Sequence, residues 1–159
     1  MRARIILGSD AIAQTFNAIR FNVLKHARDT AELQMDVRDM RLKMRENLSQ
    51  GDARHMHLKN DAGGIADIEF MVQYIVLACA ADHPELMAFP DNIRILEAAS
   101  NTGLVNADEC AMLQRNYLLM RDLIHRQALQ QQQALVEIDE AVTIGRNEVI
   151  ALWQRLIES

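Results

Sequence analysis

The chain of 159 residues has little that breaks a helix: two prolines and six glycines in all. That scarcity excludes a collagen-like or Pro/Gly-rich disordered chain. Aromatic residues make up only 4% of the sequence, so a β-sandwich or barrel, which leans on aromatic and β-branched runs, has few of its usual materials. The two cysteines, Cys79 and Cys110, sit among apolar neighbours and are too few for a disulfide framework. The longest apolar run, Tyr74 to Ala81, falls far short of the ~20 residues that cross a bilayer. Positive charge is also in deficit, with 17 Lys and Arg against 22 Asp and Glu and a formal net charge of −5, so the global field attracts neither nucleic acid nor an anionic membrane. No signal-peptide pattern opens the sequence, and the cytoplasm is the expected compartment.

What is present favours helix. Half the residues are hydrophobic and nine are methionine, in a background of Ala, Leu, Glu, Gln and Arg. A chain of this length buries a core without help from metal or disulfide. Asp10 is placed to cap a helix carrying Ile12, Phe16, Ile19 and Val23, and ending near His26. Asp29 with Glu32 signals a second helix from about 30 to 48, its stripe made by Leu33, Val37, Met40, Met44 and Leu48, with Arg38, Arg41, Lys43 and Arg45 off it. A polar stretch from Ser49 through Asp61 reads as a loop leading to Gly63-Gly64. From Ile65 to about Ala81 apolar residues cover most of the circumference, the mark of a central helix. Pro84 and Pro90 bracket a turn, Asp91 caps a short helix that places Ile93 and Leu96 inward and stops at Gly103, and Asn106 with Glu109 opens a long helix through Cys110, Leu113, Tyr117, Met120, Ile124 and Ala128. A last helix carries Val149, Leu152, Trp153 and Leu156. The prediction is one all-α domain over 1–159, a bundle of five to six helices, with Arg4 to Leu7 the sole strand-like run.

The segment from Lys59 to Phe70 is the conspicuous one. Two glycines at a helix entry let a backbone or a phosphate approach unpaired N–H groups, with Lys59 as countercharge. The competing interpretation is a tight turn with Lys59 in solvent. Asp67 and Glu69 resemble a metal-binding pair, but positions i and i+2 on a helix diverge by about 200° and cannot grip one ion. A structural ion pair is the preferred role for each. Residues 38 to 59 hold six Lys and Arg against three acids, a local +3 suited to phosphates or to an ordinary solvated face. His55-x-His57 has strand metal-pair spacing but lacks further ligands, so no metal is assigned. Neither cysteine has a base nearby in sequence, which leaves nucleophilic catalysis unsupported.

Lys59, Gly63-Gly64-Ile65, Asp67-Ile68-Glu69-Phe70 and Gln73-Tyr74 together resemble the signature Lys-x-x-x-Gly-Gly-Ile-x-Asp-Ile-Glu-Phe-x-x-Gln-Tyr of the bacterial glutamine synthetase adenylyltransferases. His83-Pro84, Asp91 to Glu97, Asn101 to Leu104, Tyr117 to Arg121 with His125, and Arg38 to Arg45 extend the likeness over nearly the whole chain. The resemblance implies a fragment of a much longer enzyme whose two halves each join a nucleotidyltransferase domain to a helical one. One half transfers AMP from ATP to a tyrosine of glutamine synthetase, with Mg, and the other removes it by phosphorolysis. Asp67 in the motif, the Arg2-Ala3-Arg4 junction and Asp91-Asn92 look more like the adenylylating C-terminal half. The catalytic acids are then expected upstream, the fragment alone inactive and free of bound ATP or Mg. Lys59, Gly63, Gly64, Asp67 and Glu69 become candidates for the interdomain surface or nucleotide cleft. Implied partners are the upstream domain, glutamine synthetase and the PII signal protein. The alternative is a stand-alone helical adaptor; either role fits an exposed apolar patch on the first two helices.

Overall fold

A computed structural model describes residues 3–159. Its α-helices are α1 (Asp10–Leu24), α2 (Thr30–Leu48), α3 (Ile65–Cys79), α4 (Asn92–Asn101), α5 (Ala107–Leu129) and α6 (Glu140–Ile157), with a 3₁₀ turn at Pro84–Met87. The all-α bundle is as expected. It carries one addition: β1 (His55–His57) pairs antiparallel with β2 (Leu135–Glu137), Met56 opposite Val136. Three residues of the polar loop after α2, His55–His57, are therefore strand, and Gln130 caps the end of α5. Gln131 takes a left-handed conformation, φ 55°, and turns the chain into β2. Arg4 to Leu7 forms no strand.

Caps set most helix starts. Asp29 accepts from the N–H groups of Ala31 and Glu32, Asp91 from Arg94, and Asn106 and Glu109 form a reciprocal capping box. At α1 the cap is Ser9, one residue before the expected Asp10, which instead sits in the first turn facing the positive helix end. At α4 it is Ile95 with Leu96 and Ala99 that is buried, while Ile93 is only half-covered.

Asp91 gives a pH prediction. Partial burial pushes its carboxyl up, but the Arg94 N–H and guanidinium outweigh that and hold it below the usual range. A depressed folded value means the cap's contribution is complete above the unfolded pKa of about 3.9 and is lost as pH falls through the folded value. The urea midpoint of the native chain should therefore exceed that of Asp91→Ala at neutral pH, by a cap's ~1 kcal/mol, and the gap should close below about pH 4. A gap that persists in acid would remove the charge from the explanation.

α3 is the axis of the bundle. Ile68, Met71, Val72, Ile75 and Val76 are sealed on it, and α2, α4, α5 and α6 all pack against it. Leu96, Leu113, Val149, Leu152 and Trp153 complete the core. On α2 the inward position is Arg41, not Met40, which is 60% exposed. A 3.6-residue period allows either neighbour to face in, and the buried carboxylate of Asp67 selects the arginine.

α1 stands apart. Of its residues only Leu24 is buried, and Ile12, Ile19 and Val23 of the expected core stripe are 61%, 58% and 56% exposed. Arg20 donates to the carbonyls of Met87 and Phe89, and Arg28 to those of Val23, Leu24, His26 and Leu77, which ties the end of α1 to α3. Among the described residues, no helix is long and apolar enough to cross a membrane.

Candidate functional site

The sequence between α2 and α3 folds as a latch. Asp61 Oδ2 accepts the His57 N–H at 2.7 Å, and its Oδ1 accepts from the Ser49 hydroxyl. One acidic side chain thus fixes both arms of the loop. The first turn of α3 is then satisfied from within: Ile65 and Ala66 donate their N–H groups to the carbonyls of Leu58 and Lys59, and Asp67 donates to Gly64. The vacant anion cradle expected as one option at this helix entry is absent, because the chain's own loop occupies it.

The twin glycines owe their identity to close packing. Gly63 has φ +77°, and a Cβ there would meet the carbonyl oxygen of Arg146 on α6 at 2.6 Å. A Cβ on Gly64 would meet the Leu58 carbonyl oxygen at 2.7 Å. Both residues are buried against their own bundle.

Asp67 is 1% exposed and ion-paired with Arg41, which is wholly buried, at 2.6 Å. Its second oxygen accepts the Gly63 N–H at 2.6 Å, and Arg45 approaches at 3.5 Å. The Arg41 guanidinium also donates to the carbonyls of Asn60 and Asp61. This network locks α2, the glycine turn and α3 together. It also removes Arg41 and Arg45 from the basic patch expected over residues 38 to 59.

The five candidate residues consequently divide. Gly63, Gly64 and Asp67 lie inside the fold, whereas Lys59 and Glu69 line an open pocket of about 500 Å³. Its walls are Met44 of α2, Asn60 beside Lys59, Ile65 and Ala66 of α3, and one face of α5: Tyr117, Arg121, Ile124, His125 and Ala128. Those α5 residues step by three and four, so the face was present in the sequence as a pattern. Their meeting with Lys59 was not, since it depends on how α5 crosses the latch.

Burial, then the Asp82 charge, pushes the Cys79 thiol up, and burial with Glu97 does the same at Cys110, the opposite of an activated nucleophile. His55 leans on Asp52, while His57 is buried with its Nδ1 receiving the Asn60 N–H. Among the described residues no three His, Cys, Asp or Glu side chains converge as metal ligands.

Comparison with known proteins places these features in a family. The family described as GlnD PII-uridylyltransferase matches residues 38–146. Bifunctional glutamine synthetase adenylyltransferase/adenylyl-removing enzymes are similar over nearly the whole chain. That of Thioalkalivibrio sulfidiphilus is 46% identical over 99% of the chain, that of Pseudomonas aeruginosa 42% over 98%, and that of Shewanella woodyi 42% over 99%. The chain spans only 16–17% of the length of these relatives.

Proposed function

The chain belongs to the GlnD PII-uridylyltransferase family, and from that premise we propose that it is the helical module of a glutamine synthetase adenylyltransferase. In this reading it follows a nucleotidyltransferase domain and supports transfer of AMP from ATP to a tyrosine of glutamine synthetase. The observation that carries the reading is identity of 42–46% across 98–99% of this chain to a short part of enzymes so named. That pattern favours a module of a larger enzyme over a free-standing adaptor.

The geometry fits a supporting role. Phosphoryl-type transfer needs acidic residues that hold a metal and align the attacking oxygen. Asp67 is committed to Arg41, and Glu69 is the one carboxylate at the pocket. This module's part is then to pack on the catalytic domain and close one side of its cleft. The outward face of α1, together with Ile6 and Leu7 at 86% and 96% exposure, supplies apolar surface for such packing. Mg would be held by the partner domain, and glutamine synthetase and PII would engage the assembled enzyme in the cytoplasm.

Calorimetry with Mg-ATP tests this. A longer polypeptide that includes the upstream domain should bind tightly, and this chain alone at least about a hundredfold more weakly, a difference of roughly 2.7 kcal/mol. Tight, Mg-dependent binding by the short chain would place the nucleotide site here and contradict the reading.

A further inference from the structure

The cations of this acidic protein are mostly spoken for. Arg94, Arg115, Arg126 and Arg155 pair with Asp91, Glu148, Asp122 and Glu109, Arg41 and Arg45 with Asp67, and Arg20 and Arg28 with main-chain carbonyls. Arg4, Lys25, Lys43, Arg54, Lys59 and Arg121 have no carboxylate partner among the described residues, and of these it is Lys59 and Arg121 that share one pocket. Both line it between the latch and α5.

They reach it from different elements. Lys59 comes from the turn after β1, whose backbone is fixed because its carbonyl receives the Ala66 N–H. Arg121 comes from mid-α5, one helical turn from His125, which shares the pocket. Two cations on independently anchored elements, with a histidine beside them, can hold an extended anion at two points. A single phosphate needs less. Behind them Met44, Ile65, Ile124 and Ala128 make an aliphatic wall, and the Tyr117 ring and the Asn60 amide supply polar contacts. Glu69 also borders the pocket and is engaged in an interaction of its own. It opposes anion binding and keeps the affinity low.

We propose that this pocket binds a phosphoanhydride chain, with Lys59 and Arg121 as its two cationic contacts. The ligand class is a nucleoside polyphosphate or the inorganic pyrophosphate released from one. The inference rests on the module reading above and sharpens it: the wall this chain lends to a nucleotide cleft is the wall that holds phosphate. Arg presents a fork of N–H donors to phosphate oxygens, and Lys a compact charge. Such contacts are screened by salt.

The experiment is NMR titration of this chain with three probes: inorganic pyrophosphate, ATP and adenosine. Pyrophosphate and ATP should both produce saturable shifts at Lys59, Arg121 and His125, weakening as salt rises, while adenosine produces none. Binding of pyrophosphate equal to that of ATP assigns the contacts to the phosphates alone. Tighter ATP binding adds the aliphatic wall as a base contact. Lys59→Ala and Arg121→Ala should each weaken pyrophosphate binding about tenfold, the loss of one charged contact. Lys43→Ala, an exposed lysine outside the pocket, should leave it unchanged. Shifts that do not saturate, or that respond equally to all three substitutions, overturn the proposal, as does binding of adenosine without pyrophosphate. The module reading fails separately: its test is ATP binding by the longer polypeptide, which does not depend on Lys59 or Arg121 being the contacts.

Discussion

Asp67→Ala should cost this protein about 3–5 kcal/mol of stability, the usual penalty for removing one partner of a buried ion pair. The melting temperature should fall by roughly 6–20 °C. Arg41 is wholly buried, and without the carboxylate 2.6 Å away its charge would have only the Asn60 and Asp61 carbonyls as partners. The Gly63 N–H would lose its acceptor as well. Attraction between the two charges is not the main reason for so large a cost. The guanidinium stays behind in a dry site, and an uncompensated buried charge is what destabilises. The double variant Arg41→Met with Asp67→Leu should therefore recover much of the loss, and a double-mutant cycle of thermal or urea unfolding measures the coupling. If Asp67→Ala left the midpoint in place, the carboxylate would be free for another task and the locking role would be wrong.

Gly63→Ala should cost about 2–5 kcal/mol, from two sources that a paired experiment separates. A left-handed backbone at φ +77° penalises any Cβ by about 1–2 kcal/mol. Here the Cβ would also be driven into the Arg146 carbonyl oxygen at 2.6 Å, and overpacking of that kind costs about 1–3 kcal/mol. Gly103 provides the control. It has the same φ of +77° at the end of α4, with nothing within 4 Å of its would-be Cβ, so Gly103→Ala should show the backbone cost alone. The excess at Gly63 over Gly103 in urea unfolding reports the close approach of α6 to the glycine turn. Equal losses would mean that α6 yields readily and the glycine serves only the turn.

Both predictions concern residues whose motif was plain in the sequence and whose use was not. The helices were legible because their signals are local: Asp29, Asp91 and Asn106 each cap the helix that begins directly after them, and α2 runs over Thr30–Leu48 as the periodicity indicates. β1 and β2 escaped notice because three residues are too few to show alternation, and their pairing joins positions some eighty residues apart. The choice between Met40 and Arg41 as the inward residue turned on a carboxylate on another helix, which periodicity cannot see. α1 misled for a different reason. An apolar stripe states that a face seeks cover, and the cover need not come from the same chain. At the site, Lys59 and Glu69 belong to the motif and do reach the pocket, whereas Arg121 and His125 join them only through the crossing of α5 over the latch.

On the proposed module reading, the glycine turn is sealed inside the bundle, so a neighbouring domain would be met at another surface. The motif holds the latch, α2 and α6 in register, while the α1 face and the pocket stay open. One measurement bears on this account most directly: transfer of labelled AMP to glutamine synthetase by a long adenylyltransferase whose matching segment has been replaced by this chain. The account predicts that the chimera transfers label and that the same enzyme without the segment does not. A well-folded chimera that transfers none, or an enzyme that works equally well with the segment removed, would contradict it.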